Sequence, residues 1–200
     1  MSIRTDALLA AAASEDEVRA DAAVHAVQAE DEPSLLAALA QTSDHAPDAV
    51  SWWLLYALSR CGSARSVPAV AARLDHADAE LRSAAVMTLG NIGQRDGAAV
   101  RPVTQQMSAL LADDDGLVRR AAADALARCG DVAVPALAAV LQSPHEGARS
   151  QAMSALRRIA TLEAAKIMYP HLEDANYLVR TWAYEGLDEM GLLENILLRP

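Results

Sequence analysis

The run Asp113-Asp114-Asp115-Gly116 is the stretch of this sequence that most resembles a metal-binding loop. An EF-hand calcium loop needs Gly at its sixth position and Glu at its twelfth. With Gly116 at the sixth position, the twelfth falls on Ala122, which has no oxygen ligand to offer. The pattern instead favours acids at the start of a helix, where the positive end of the helix dipole stabilises them.

The other residues that could do chemistry are isolated. His145-Glu146 is the one His-Glu pair, and the remaining histidines lack the i, i+4 spacing of a helical metal site. Cys61 and Cys129 form no Cys-x-x-Cys motif, and neither a phosphate-binding glycine loop nor a Gly-x-Ser-x-Gly nucleophile occurs. We therefore expect no metal, no cofactor and no catalytic residue, unless side chains from separate segments combine into a site.

Composition favours a helical protein that binds neither nucleic acid nor membranes. Hydrophobic residues make up 52% of the 200 residues, whereas Gly (9) and Pro (8) are sparse and Phe is absent. The net charge is -10 and the 17 basic residues are dispersed, so there is no cluster to release counterions from nucleic acid. No apolar run is long enough to span a membrane, and the N-terminal run predicts a first helix rather than a signal peptide. These features predict a cytoplasmic protein.

One pattern recurs along the chain with steps of 32, 31, 37, 30 and 31 residues. Each copy is anchored by a residue that usually follows Val or Leu and is usually Arg. Three residues after the anchor stands Ala or Leu, seven after it stands Leu or Ala, and eleven after it stands Gly in four copies. The anchors are Arg19, Ser51, Arg82, Arg119, Arg149 and Arg180.

Each copy predicts two helices. Offsets -1, +3, +7 and +10 from the anchor fall on one stripe of a helix, so the anchored segment is amphipathic and these offsets should face inward. Ser14 and Ser143, each followed three residues later by Glu, predict capping boxes. Shorter apolar helices are expected before the anchored ones, at about 33–41, 67–74, 98–111, 132–141 and 163–172. Such hairpins cannot bury their apolar stripes alone, so they must stack.

The pattern acid-x-x-Val-Arg-x-x-Ala-x-x-x-Leu, clearest at 75–93, 113–130 and 174–191, resembles HEAT repeats, specifically the short bacterial kind also found in phycobilisome bilin lyases. The resemblance implies an all-α fold, a right-handed superhelix (α-solenoid) of about six helical hairpins in a single domain, 1–200. The repeats would span about 1–30, 31–62, 63–93, 94–130, 131–160 and 161–191, with a short C-terminal helix at 192–198.

The resemblance also implies a structural role for the recurring charged residues. Arginines and the acids before them, such as Asp113 with Arg119 and Asp174 with Arg180, would form a ladder between adjacent repeats. The residues expected in this ladder are Arg19, Arg82, Asp113, Arg119, Arg149, Asp174 and Arg180.

In HEAT-like solenoids the second helix of each hairpin lines the concave surface, so offsets +1, +5 and +8 should face a partner. Trp52, Tyr56 and Met87 form an apolar cluster of the composition found in interface hot spots. The alternative is that these bulky residues cover the thin, Ala-built first repeat. The other predicted contacts on this surface are Arg120, Asp124 and Arg157.

The function that these features favour is a non-catalytic scaffold or interaction module that binds a protein or peptide in its concave groove. Two alternatives stay open: a bilin lyase-like or chaperone-like subunit acting on a cofactor-bearing client, and a neutralising partner of a basic toxin or nuclease. The apolar ending, 192–198, either folds back as a cap or docks on another chain and so forms an oligomer.

Overall fold

The structure is a computed structural model that describes residues 2–14, 16–42 and 49–193. Over these residues the regular secondary structure is α-helix and 3-10 helix, with no β-strand. The predicted all-α hairpin fold is confirmed. The helices fall into two compact units, an N-terminal unit (Met1–Val103) and a C-terminal unit (Thr104–Pro200). That residues 1–200 form a single domain stays a prediction, and the helix predicted at 192–198 lies outside the described residues after Leu193.

Three helical hairpins build the N-terminal unit, and a short seventh helix follows them. The helices are α1 (Ile3–Ala13), α2 (Glu17–Ala26), α3 (Glu32–Leu39), α4 (Ala49–Cys61), α5 (Val67–Ala71), α6 (Ala79–Arg95) and α7 (Gly97–Val100). Helix α4 lies at the centre of this unit, because it packs against its hairpin partner α3 and also against α1, α2 and α6. Leu54, Leu55 and Leu58 of α4 are fully buried there.

The C-terminal unit has two layers of helices. Its helices are α8 (Thr104–Ala109), α9 (Gly116–Arg128), α10 (Val134–Val140), α11 (Glu146–Ile159), α12 (Leu162–Met168) and α13 (Tyr177–Glu189). The longer second helices pack side by side in the order α9, α11, α13, and the shorter first helices α8, α10 and α12 form the other layer.

Proline shapes the shorter first helices. Pro33, Pro68 and Pro135 each occupy the second residue of their helix, where the missing N–H costs no intrahelical hydrogen bond. The segment predicted as one helix over 98–111 is instead broken into α7, a 3-10 turn at Arg101–Val103, α8 and a further 3-10 turn. Pro102 lies in the first of these turns and cannot supply the N–H that a continuous helix needs there.

Of the offsets predicted to face inward, +3 and +7 are confirmed in repeats two to six, whereas Val50 at -1 and Cys61, Ile159 and Met190 at +10 are only half-buried. The residues at +3 and +7 are all buried: Leu54, Ala85, Ala122, Ala152, Ala183, Leu58, Leu89, Leu126, Leu156 and Leu187. The three alanines at +3 in the C-terminal unit keep the second helices thin where they meet the neighbouring layer. The residues at +3 and +7 therefore form the packing face of each second helix.

The same offsets are wrong for the first repeat. Val18 at -1 is 82% exposed, and Ala22 and Ala26 are exposed as well. The buried residues of this segment include Val24 and Val27, which were expected on the opposite face. The buried stripe holds one valine more than the predicted stripe, and burying a valine side chain stabilises the fold more than burying an alanine methyl.

Both predicted capping boxes are wrong in their first residue. The N-cap of α2 is Asp16 rather than Ser14, and its carboxylate accepts a hydrogen bond from Arg19 N–H at 3.0 Å. The N-cap of α11 is His145 rather than Ser143, and its Nδ1 accepts from Ala148 N–H at 3.0 Å. A ring nitrogen performs here the role usually taken by a Ser or Asp oxygen.

Left-handed backbone recurs at offset +11 in the last three repeats. Gly130 has φ 62°, Gly191 has φ 68°, and the equivalent residue of the fifth repeat, Ala160, has φ 52°. Glycine adopts this conformation without steric cost, whereas the Cβ of alanine crowds the neighbouring carbonyl oxygen.

We expect Ala160→Gly to raise the free energy of unfolding by about 1 kcal/mol, because it relieves the left-handed strain at the end of α11. Urea unfolding followed by circular dichroism measures the change. Gly191→Ala is the matched control and should lower stability by a similar amount. A glycine variant less stable than the wild type would contradict the interpretation.

Candidate functional site

Four of the five recurring anchor arginines make the same pair of hydrogen bonds. Arg82, Arg119, Arg149 and Arg180 each donate from Nη1 to the main-chain carbonyls six and five residues earlier. For Arg82 the acceptors are His76 O at 2.8 Å and Ala77 O at 3.0 Å. Each guanidinium therefore ties a second helix to the turn that precedes it.

The acids of the expected ladder lie beside these bonds. Asp113 and Asp174 provide the carbonyls that Arg119 and Arg180 bind, and their carboxylates accept hydrogen bonds from Asp115 N–H (2.9 Å) and Asn176 N–H (2.8 Å). Burial pushes the pKa of Asp174 upward. The hydrogen bonds from Asn176 and His171 and the charge of Arg149 in the preceding repeat outweigh it and hold that pKa below its ordinary value. The hydrogen bonds of Asp113, Arg119, Asp174 and Arg180 described above each lie within one repeat. Arg19, the remaining arginine of the expected ladder, is exposed. A ladder between adjacent repeats therefore stays a prediction.

Ion pairs join the second helices of the C-terminal unit. Asp124 of α9 binds Arg158 of α11. Arg157 of α11 binds Glu189 of α13 and lies 3.2 Å from a carboxylate oxygen of Glu185. Two predicted contacts, Asp124 and Arg157, are therefore already paired within the molecule.

Arg157 makes a further contact with an aromatic ring. Its guanidinium lies over Trp182 at 5.1 Å from the ring centroid, a cation–π distance. The third predicted contact of this unit, Arg120, is exposed on α9. The pairs of Asp124, Arg157 and Arg158 therefore join α11 to α9 and to α13.

The second-helix face of the N-terminal unit is aromatic instead. On α4, the ring centroids of Trp52 and Tyr56 are 5.5 Å apart, and Trp53 packs edge-on against Trp52 at 4.9 Å. Met87 lies on α6, which packs against α4. All four side chains are half-buried, so part of each remains open to a partner. We call Trp52, Trp53, Tyr56 and Met87 the aromatic face.

The six predicted contacts divide between the two units. Trp52, Tyr56 and Met87 belong to the N-terminal unit, and Arg120, Asp124 and Arg157 to the C-terminal unit. The offsets predicted from the sequence to face a partner, +1, +5 and +8, did not include Arg60, which lies at offset +9 of the second repeat. It is exposed in the last turn of α4, four residues after Tyr56, and a check of every i, i+4 neighbour of Tyr56 could have found it.

The thiols are the remaining reactive side chains, and both are protected. Burial raises the pKa of Cys61 to about 11, aided by the negative charges of Glu32 and Asp31, and burial raises the pKa of Cys129 to about 11. Within the described residues, no group of three His, Cys, Asp or Glu side chains is placed to hold a metal ion.

We expect both thiols to react with a disulfide reagent near neutral pH about 100-fold more slowly in the folded protein than in the denatured protein. The thiolate is the nucleophile, and raising the pKa from 9.0 to about 11 reduces its fraction by that factor. Absorbance of the released thiolate follows the reaction. Equal rates in folded and denatured protein would show that the thiols are open to solvent.

Short helical hairpins stacked in two layers define an α-helical repeat protein. The chain belongs to the HEAT repeat family, because the profile for HEAT repeats matches residues 32–106 and 104–188. The first hairpin lies outside both matches, in agreement with its different register. No curated protein matches the chain. Among the described helices, none has both the length and the apolar character needed to cross a membrane.

Solved structures with a similar fold cover nearly the whole chain. The YibA protein of Escherichia coli is 16% identical with a TM-score of 0.60, over 96% of this chain and 73% of that chain. An engineered protein is 19% identical with a TM-score of 0.53, over 96% and 97%. A designed armadillo repeat protein in complex with the peptide (KR)4 is 16% identical with a TM-score of 0.53, over 94% and 100%. These likenesses show the fold alone.

Proposed function

We propose that this protein is a non-catalytic interaction module that binds a segment of another protein on the aromatic face. The observation that carries the proposal is the cluster of half-buried rings on α4, where the centroids of Trp52, Trp53 and Tyr56 lie 4.9 to 6.2 Å from one another. In the C-terminal unit Trp182 is half-buried as well, but the guanidinium of Arg157 lies over its ring.

The composition of this face supports the proposal. Trp and Tyr are enriched among the residues that dominate binding energy at interfaces, and their rings bury much area for little loss of side-chain entropy. Met87 adds an unbranched side chain that can adapt to different partner shapes. One designed armadillo repeat protein of similar fold was solved with a bound peptide, (KR)4. A peptide is therefore the first ligand class to test for this chain.

A basic toxin or nuclease is a poorer partner for the face of the C-terminal unit. Such a partner would have to meet Asp124, Glu185 and Asp188, and the first two of these carboxylates already pair with Arg158 and Arg157. Binding would break these ion pairs before new ones formed. The aromatic face needs no such rearrangement.

The proposal is tested by capture from a lysate of the source cells with immobilised wild-type protein and with Trp52→Ala/Tyr56→Ala, followed by direct binding of the captured protein. Equal helicity and melting of the two baits are established first. We expect the double variant to weaken binding of the client at least about 100-fold, since each interface aromatic contributes about 2 kcal/mol or more.

Tyr177→Ala/Tyr184→Ala is the matched control. These tyrosines are exposed on α13 of the C-terminal unit, so the same number of aromatic side chains is removed elsewhere. The control should bind the client as the wild type does. Undiminished binding by the Trp52→Ala/Tyr56→Ala variant would refute the proposed site.

A further inference from the structure

An exposed basic cluster lies at the C-terminal end of α4, in a protein whose net charge is -10. Arg60 is in the last turn of α4, and Arg65 follows four residues after the end of this helix. Arg95 reaches the same end from α6, because its Nη1 donates to Ser59 O at 2.8 Å and its Nη2 to Gly62 O at 2.9 Å. All three arginines are exposed.

The nearby carboxylates do not cancel this cluster at the surface. Asp31 and Glu32 are buried, at 2% and 6% exposure. Asp31 accepts from Gln28 N–H and pairs with Arg4, while Glu32 is bound by two serines. Asp96, next to Arg95, caps α7 by accepting from Ala99 N–H at 3.3 Å. Asp96 is exposed and keeps its negative charge, so among these groups three exposed arginines and one exposed carboxylate leave a positive surface at this end of α4.

Arg60 continues the aromatic face in a single row. Trp52, Tyr56 and Arg60 are spaced by four residues, so they lie one above another along α4. In the C-terminal unit, Arg157 and Arg158 near the end of α11 form ion pairs with Glu185 and Asp124 of neighbouring helices. Arg60 has no ion pair with a described residue, so its guanidinium is available to a ligand.

We propose that the segment bound on the aromatic face is acidic and apolar. One or two large apolar side chains lie against Trp52, Tyr56 and Met87, and an Asp or Glu about one turn away pairs with Arg60, with Arg65 and Arg95 close to it. The inference rests on the proposed function and adds the class of partner. Guanidinium and carboxylate match in bidentate geometry, which fixes the direction of the bound segment.

A basic segment is the competing ligand, and the overall charge of the protein would attract it. Exposed charges farther apart than about 8 Å are largely screened at physiological salt, so the charges beside the ligand decide the choice. Those beside Tyr56 are the guanidiniums at the end of α4. They repel a Lys or Arg placed next to the apolar anchor and attract a carboxylate.

The test is a selection of short random peptides, displayed on phage, on the immobilised full chain, with counter-selection on the Trp52→Ala/Tyr56→Ala variant. The most enriched peptide is synthesised, together with a copy in which Asp and Glu are replaced by Asn and Gln. Binding of both is measured by fluorescence anisotropy with the wild type, with Arg60→Glu and with Arg19→Glu. Arg19→Glu is the control, because it makes the same charge change on the exposed side of α2.

We expect enrichment of sequences that combine large apolar residues with Asp or Glu. The Arg60→Glu variant should bind the acidic peptide about tenfold more weakly and should lose the preference for it over the amide copy, whereas Arg19→Glu should keep both. Enrichment of basic or uncharged peptides overturns the acidic class but leaves the proposed function standing. An Arg60→Glu variant that binds the acidic peptide as tightly as Arg19→Glu does would also overturn the acidic class and leave the proposed function standing. If no peptide distinguishes the wild type from the double aromatic variant, the proposed function itself falls.

Discussion

Replacing Glu32 by Ala is expected to lower the free energy of unfolding by about 3 kcal/mol. The carboxylate lies at the start of α3 and is 6% exposed. It accepts from Ser63 N–H at 2.7 Å and lies 2.8 Å from Ser63 Oγ and 2.6 Å from Ser66 Oγ. Alanine would remove the charged acceptor of these bonds and would leave the fully buried Ser66 hydroxyl without it, and an unsatisfied buried donor costs about 1–3 kcal/mol.

Chemical unfolding at neutral pH measures this change. Glu30→Ala is the matched control, since Glu30 is two residues away and exposed, where it pairs with Arg4 at the surface. It should leave the unfolding midpoint nearly unchanged. Ser66→Ala, alone and combined with Glu32→Ala, completes a double-mutant cycle in which the two costs should not add. A Glu32→Ala protein as stable as the wild type would show that water replaces the carboxylate.

The same carboxylate should make the protein sensitive to acid. Burial pushes the pKa of Glu32 upward, but hydrogen bonds from Ser66 and Ser63 outweigh it and hold the pKa below its ordinary value of 4.5. The stabilisation is therefore fully present above about pH 4.5 and is lost as pH falls through the folded-state pKa. Asp31 and Asp174, whose pKa values are also lowered, act in the same direction. Unfolding midpoints measured between neutral pH and pH 3 should fall less steeply for Glu32→Ala than for the wild type.

The fold could be predicted from the sequence because repetition supplies independent copies of one packing rule. Leu at +7 is buried in each of repeats two to six, and so is the residue at +3, which is Leu54 in repeat two and Ala in the other four. The first repeat could not be predicted in this way. The predicted stripe of α2 holds Val18, Ala22 and Ala26, whereas the buried residues are Ala20 and Val24 of α2 and Val27 just after it, so one additional valine distinguishes the two sets.

The candidate site was less predictable than the fold, because it depends on which charges pair across helices. The sequence placed Arg157 and Asp124 on an outward offset, but their partners, Glu189 and Arg158, come from helices about 30 residues away along the chain. No periodic column relates these partners. Trp52 and Tyr56 were easier to identify, since large aromatic rings at an outward offset stand out among alanines and serines.

A single methyl group at Gly62 is expected to lower the free energy of unfolding by about 2 kcal/mol. Gly62 follows the last residue of α4, and its N–H donates to Leu58 O at 2.7 Å. A Cβ at this position would lie 2.5 Å from Leu58 O and 3.1 Å from Ser66 Oγ. The nearer atom is main chain, which cannot swing aside as a side chain can, so Gly62→Ala must shift the end of α4.

Gly116→Ala is the matched control for this variant. Its added Cβ would meet Arg119 Nη2 at 3.4 Å, an ordinary van der Waals contact, at the first residue of α9. We expect it to be as stable as the wild type or slightly more so, because alanine restricts the unfolded chain more than glycine does. Thermal and urea unfolding of the two variants side by side measure the difference. Equal stability of both would mean that the end of α4 adjusts freely.

The position of Gly62 gives its substitution a second consequence. Its carbonyl accepts from Arg95 Nη2, and Ser63 and Ser66 beyond it bind Glu32. A shift of this turn should therefore weaken the hydrogen bonds from Ser63 and Ser66 to Glu32 and, at the same time, displace Arg95. In a double-mutant cycle, Gly62→Ala and Glu32→Ala should cost less in combination than the sum of their separate costs, since each disrupts the same turn. Strict additivity would show that the methyl group acts on α4 alone.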